Sequence, residues 1–116
     1  MGELFEGYDT GRRKREAELA ERHRKEELVD HELHELAGLF EADAGFLKEH
    51  DVTYEIVGRT MRIAHRRSPV VSVHYVADDG NYVMTEMKNG TKATATTAPE
   101  CARWIGEALF AALALK

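Results

Sequence analysis

Residues 51–76 read DVTYEIVGRTMRIAHRRSPVVSVHYV, and the alternation in this stretch decides the fold. Val52, Tyr54 and Ile56 alternate with Thr53 and Glu55, the period of a half-buried strand. Gly58-Arg59 makes a tight turn. TMRIAHR follows with Met61 and Ile63 inward and Arg62 outward, so the two runs pair as a β-hairpin. Ser68-Pro69 is expected to break the run. VVSVHYV then places Val71, Val73 and Tyr75 on one face, with Ser72 and His74 on the other.

Downstream, Asp78-Asp79-Gly80-Asn81 is a turn and NYVMTEM a further strand. Asn89-Gly90 is the strongest hairpin signal in the chain. TKATATT, built of small β-compatible residues, closes the sheet as an edge. Residues 51–97 are therefore expected to form an antiparallel meander of four to five strands. Thr97-Ala98-Pro99-Glu100 has the form of a capping box, with proline tolerated in the first helical turn. Cys101, Trp104, Ile105, Ala108, Leu109 and Ala112 make an apolar stripe on a helix over 98–116. Phe110 and Leu115 lie off that stripe, so the end of this helix is apolar nearly all round.

Upstream, residues 12–50 hold no proline and read as helix. Leu19, Val29, Leu33, Leu36 and Phe40 recur near spacings of three and four. Arg22 and Glu26 occupy the same seam, so the apolar face is complete only from about Leu28 onward. The segment before it is charged all round. A break or bend is expected near Ala44–Gly45. Residues 1–11, with Gly2, Gly7 and Gly11, are expected to be a flexible lead-in, with Asp9 or Thr10 as helix N-cap. The whole is read as one α+β domain, 1–116: a long N-terminal helix, a meander sheet and a C-terminal amphipathic helix.

With 116 residues, 43% hydrophobic and 32% charged, the chain can build one core and falls outside collagen-like, low-complexity and wholly disordered classes. The net charge is −5, which argues against a generic polyanion binder. Residues 1–50 carry 14 acidic and 8 basic side chains, and residues 51–116 carry 7 and 8. A single cysteine excludes an internal disulfide and a multi-cysteine zinc site. No stretch approaches the roughly 18 apolar residues of a membrane span. The expected setting is cytoplasmic, with no membrane partner.

Four constellations are candidates for function. On the first helix, Glu27, His31 and His34, with His23, Asp30 and Glu35 nearby, offer imidazole and carboxylate ligands for a divalent metal. Arg59, Arg62, Arg66 and Arg67 with His65 form a basic hairpin suited to phosphate and hence to nucleic acid. Cys101 could act as a nucleophile, but its stripe position makes it a buried structural thiol. Glu32, Glu35, Glu41, Asp43, Glu49 and Asp51 crowd the end of the first helix as an acidic surface. Phosphate loops and Gly-x-Ser-x-Gly elbows are missing, and Ser68 and Ser72 are the only serines. The expectation is a non-catalytic protein–protein interaction domain without a cofactor, serving as an inhibitor, an adaptor or a subunit. It would present its N-terminal helix and arginine hairpin to a partner or a second copy, through Leu19, Arg22, Val29, Phe110 and Leu115. Nucleic-acid binding and divalent-metal binding are the alternatives.

Overall fold

A computed structural model describes residues 2–114. Eight elements follow one another: α1 Glu3–Ala42, α2 Ala44–Glu49, β1 Val52–Val57, β2 Thr60–His65, β3 Ser68–Val76, β4 Asn81–Glu86, β5 Lys92–Ala95 and α3 Ala98–Ala114. The fold is α+β, and the strands lie in chain order in one antiparallel five-stranded sheet.

The start of the chain departs from expectation. Residues 3–11 are not a flexible lead-in but the first turns of α1, whose N-cap residue is Gly2 rather than Asp9 or Thr10. Glu3 and Glu6 sit in the first turn, where carboxylates favour the helix dipole. Asp9, instead of capping, accepts ion pairs from Arg12 at 2.8 Å and Arg13 at 3.1 Å. Arg12 also reaches Glu16 at 3.3 Å. Such pairs contribute about 0.2–0.5 kcal/mol each and offset part of the helix cost of Gly7 and Gly11. The expected break falls at Asp43, between α1 and α2.

One face of the sheet is apolar and needs a cover. Val52, Met61, Ile63, Val71, Val73, Tyr82, Met84 and Ala95 point into the core. The C-terminal half of α1 covers them with Val29, Leu33, Leu36 and Phe40, and α3 adds Cys101, Ile105, Ala108 and Leu109. Tyr54 and Tyr75 face inward as the alternation requires, Tyr54 edge-on to Phe40 and Tyr75 edge-on to Tyr82 with ring centroids 5.1 and 5.0 Å apart. The capping box forms with a shift of one residue. The Glu100 amide donates to Thr97 Oγ1 at 3.3 Å, while the Glu100 carboxylate accepts from the amide and hydroxyl of Thr96 at 3.0 and 3.1 Å.

Pro69 does not break the run. It pairs with Ala64 inside β3, next to a bulge where Ile63 faces Val71 and Val70 is the extra residue. A bulge at a strand start leaves no ladder bond for proline to lose. The turn before it is Arg66-Arg67, a two-residue loop between the paired His65 and Ser68. Both arginines have positive φ, 50° and 71°, as a type I′ turn demands, although asparagine and glycine suit that region far better.

Two outcomes follow for equilibrium denaturant unfolding. Leu36→Ala removes a side chain with no exposed surface and should cost about 2–5 kcal/mol. The double change Arg66→Asn with Arg67→Gly should raise stability by about 1–2 kcal/mol by relieving the left-handed strain. No gain from the second would show that the arginine turn is unstrained.

Candidate partner-binding surface

The domain lets go of α1 at a definite place. The β3–β4 turn reaches the helix through Asp78, paired with Lys25 at 2.7 Å. The β1–β2 turn reaches it through Arg59, paired with Glu26 at 3.3 Å. N-terminal to these contacts, residues 3–24 form an arm about 33 Å long. Every residue of that arm is exposed except Asp9, which is half-buried. The long dimension of the molecule is accordingly 74 Å against 27 and 23 Å across.

The arm is not uniformly polar. Its tip bears Leu4, 91% exposed, Tyr8, 71% exposed, and Phe5; further along lies exposed Leu19. At its root a groove of about 600 Å³ is lined by Ala17, Glu18, Arg22, Lys25, Val29 and Arg59, among others. Toward the tip Gly7, Tyr8, Gly11, Arg12, Arg15 and Glu16 border a shallow, open depression.

The sequence-derived partner residues do not gather on one surface. Leu19 and Arg22 are exposed on the arm. Val29, 9% exposed, is packed into the core and shows only at the groove floor. Phe110 is 74% exposed on α3, near the end of that helix whose Ala111 and Ala112 adjoin Ser68 and Lys88. That is the opposite end of the sheet from the arm root. Leu115 lies outside the described residues.

The arginine hairpin is divided as well. Arg59 sits in the β1–β2 turn, engaged with Glu26. Arg62 lies on the outer face of the sheet, directly opposite Glu55. Arg66 and Arg67 occupy the next turn, about 20 Å away along β2, and Arg66 approaches Asp51 at 4.0 Å. His65 does not join them. It is 4% exposed on the inner face, because alternation sends it the way of Met61 and Ile63.

The helix histidines each take a separate neighbour. His23 lies 2.8 Å from Glu27 and His31 3.6 Å from Glu35, while His34 Nδ1 is 2.7 Å from the Asp30 carbonyl. Among the described residues no group of three or more His, Cys, Asp or Glu side chains converges as a metal site.

Three groups escaped the sequence reading or gained definition from the fold. Tyr82 is fully buried in β4, and its hydroxyl lies 2.9 Å from the Glu32 carbonyl and 2.8 Å from the Glu32 carboxylate. Burial first, then the Glu32 hydrogen bond, raises its pKa strongly. Tyr54, donating to Glu41, is pushed up to about 12 by that bond first and by burial second. Cys101 is completely buried, and burial, helped by Glu100, pushes its thiol up to about 12. Desolvation thus overrides the thiolate stabilisation that a helix N-terminus offers. The apolar tip also went unread, since Leu4, Phe5 and Tyr8 fall in the segment expected to be a lead-in. Stepping the Val29–Leu33 stripe backward by threes and fours would have reached Tyr8 and Leu4.

No protein-family model, curated protein or solved structure matches the chain. No helix among the described residues is long and apolar enough to cross a membrane.

The raised Cys101 pKa sets a pH window. Stability from the neutral thiol is complete below its unfolded value near 9 and is lost as pH rises toward 12,. Urea midpoints should therefore fall over pH 9 to 12, and Cys101→Ala should flatten that fall,. In native protein at neutral pH the thiol should resist a thiol reagent until the chain is unfolded. Rapid native labelling would show that α3 does not cover it.

Proposed function

We propose that this chain is a small non-catalytic interaction domain, an inhibitor, adaptor or assembly subunit, whose working surface is the arm of α1. The observation that carries this reading is a length of helix that gives nothing to the fold. A core-covering helix needs to be only as long as the sheet it crosses. Strands of six residues span about 20 Å, and α1, with 40 residues, spans about 60 Å. A charged helix standing in solvent is marginal by itself, because most helical stability in proteins comes from tertiary packing. The arm retains an apolar tip and a groove at its root, which are features for contact rather than for solvation. The β1–β2 turn belongs to the same surface, since Arg59 walls the groove.

Cys101 is sealed in the core, and among the described residues no three His, Cys, Asp or Glu side chains converge. Removal of residues 2–24 tests the proposal. The trimmed chain should unfold at nearly the same urea concentration and with the same cooperativity as the intact one, while all association is lost. A large drop in stability would make the arm a structural element and overturn the proposal.

A further inference from the structure

The stripe by which α1 covers the sheet does not stop at Val29. Continued toward the N-terminus in steps of four and three residues, it passes Lys25, Arg22, Glu18, Arg15, Gly11, Tyr8 and Leu4. All seven are exposed. The steps read four, three, four, three, four, three, four from either end. A stripe with palindromic spacing can meet a copy of itself running the other way without change of register.

Resting on the reading of the arm as the working surface, we propose that its partner is a second copy of this chain, the two arms packing antiparallel along this stripe. The register sets position 4 opposite 29, 8 opposite 25, 11 opposite 22 and 15 opposite 18. The residue types at those positions are complementary. Leu4 meets Val29, which with Ala17 supplies the apolar lining of the root groove. Tyr8 lays its ring along the Lys25 stem. Gly11 leaves room for the long Arg22. Arg15 faces Glu18, and by symmetry Glu18 faces Arg15.

Two independent features agree with this register. The root groove follows stripe positions 18, 22, 25 and 29, and the tip depression follows 8, 11 and 15. These are the two halves that the register brings together, so each arm's apolar tip enters the other's root groove, ending at Arg59. Charge agrees as well. Along the arm the signs come in blocks: acidic Glu3 to Asp9, basic Arg12 to Arg15, acidic Glu16 to Glu21, basic Arg22 to Lys25. Reversal places Asp9 near Arg24 and Arg12 near Glu21, so opposite signs meet through the middle of the arm, while Glu3 and Glu6 at the tip fall opposite Asp30 and Glu27. A parallel pairing would set like against like. Arg15, Glu18 and Arg22 form no ion pair within the described chain, whereas Arg12, Arg13 and Arg24, off the stripe, do. These three stripe charges remain available for a neighbour, while Lys25 is held by Asp78,.

Sedimentation equilibrium of the full chain tests the pairing. The intact protein should reach twice the monomer mass, with a dissociation constant that rises with salt. Arg15→Glu sets carboxylate against carboxylate at both symmetry-related places, and Glu18→Arg sets guanidinium against guanidinium. Each alone should weaken the dimer by about tenfold or more. An equal mixture of the two variants restores both ion pairs and should form a heterodimer of intact affinity. Both changes lie on exposed helix, so circular dichroism of each should match the parent; Leu4→Glu is a second variant that should weaken the dimer from the tip. A chain that stays at monomer mass overturns the self-pairing, and so do variants that dimerise like the parent. If the trimmed chain is nevertheless as stable as the intact one, the arm remains a surface for a different protein, and the two failures are told apart.

Discussion

Val29 marks the place where one helical stripe changes its chemistry, and the rest of the molecule is arranged around that change. C-terminal to it, Leu33, Leu36 and Phe40 seal the apolar face of the sheet. N-terminal to it, the same stripe is mostly charged. A twisted five-stranded sheet with one greasy face has to be covered, and two helices supply the cover at a right length only if α1 uses its second half. The first half is left over by simple geometry. The domain holds the junction with ion pairs from two different turns, at Lys25–Asp78 and Arg59–Glu26. Each such exposed pair contributes little energy, but together they define where the rigid body ends.

Among the described residues of that body one buried side-chain oxygen, Asn81 Oδ1, lacks a hydrogen-bond partner, while the hydroxyls of Tyr82 and Tyr54 find theirs. Tyr82 is the main case. Its ring fills the centre of the sheet–helix layer, and its hydroxyl is answered by Glu32 on α1. A buried hydroxyl without such a partner would cost roughly 1–3 kcal/mol. The contact therefore fixes the rotation of α1 over β4 as well as its distance. Tyr54 with Glu41 repeats the arrangement at the β1 edge. Glu32 and Glu41 stand nine residues apart, on opposite sides of α1, so the two tyrosines hold the covering helix from both flanks and set the direction in which the arm leaves the domain. The arm is thereby displayed in a defined direction rather than on a loose tether, as the proposed interaction surface requires.

Much of this was legible before the fold was seen. Alternation in 51–76 assigns the strands because a pleated backbone turns successive side chains to opposite faces. The same rule predicts inward Tyr54 and Tyr75 and, applied consistently, inward His65; grouping His65 with the arginines by proximity in the chain was the error. Glycines at 7 and 11 suggested a loose start, but charge pairs at spacings of three and four carry the helix through them. Pro69 reads as a break because proline has no N–H to give a ladder, and the bulge at Ile63 and Ala64 removes the need for one. The double-arginine turn carries no sequence signal at all. Its positive φ values are imposed by the pairing of His65 with Ser68.

By itself the sequence determined the element types, their order, the inner face of the sheet and the burial of Cys101. All of these are local matters of period and capping, which a strand or helix expresses wherever it sits. Only the tertiary structure decided which residues share a surface. It spread the arginines over two turns and a strand face, put Phe110 at the far end of the sheet from Leu19, and gave Glu32 to Tyr82 across 50 residues of chain. It also decided where α1 leaves the core, because that depends on how far the sheet reaches along the helix. The physical reason is that periodicity specifies the direction in which a side chain points from its own element, whereas its neighbours depend on the path of all the others.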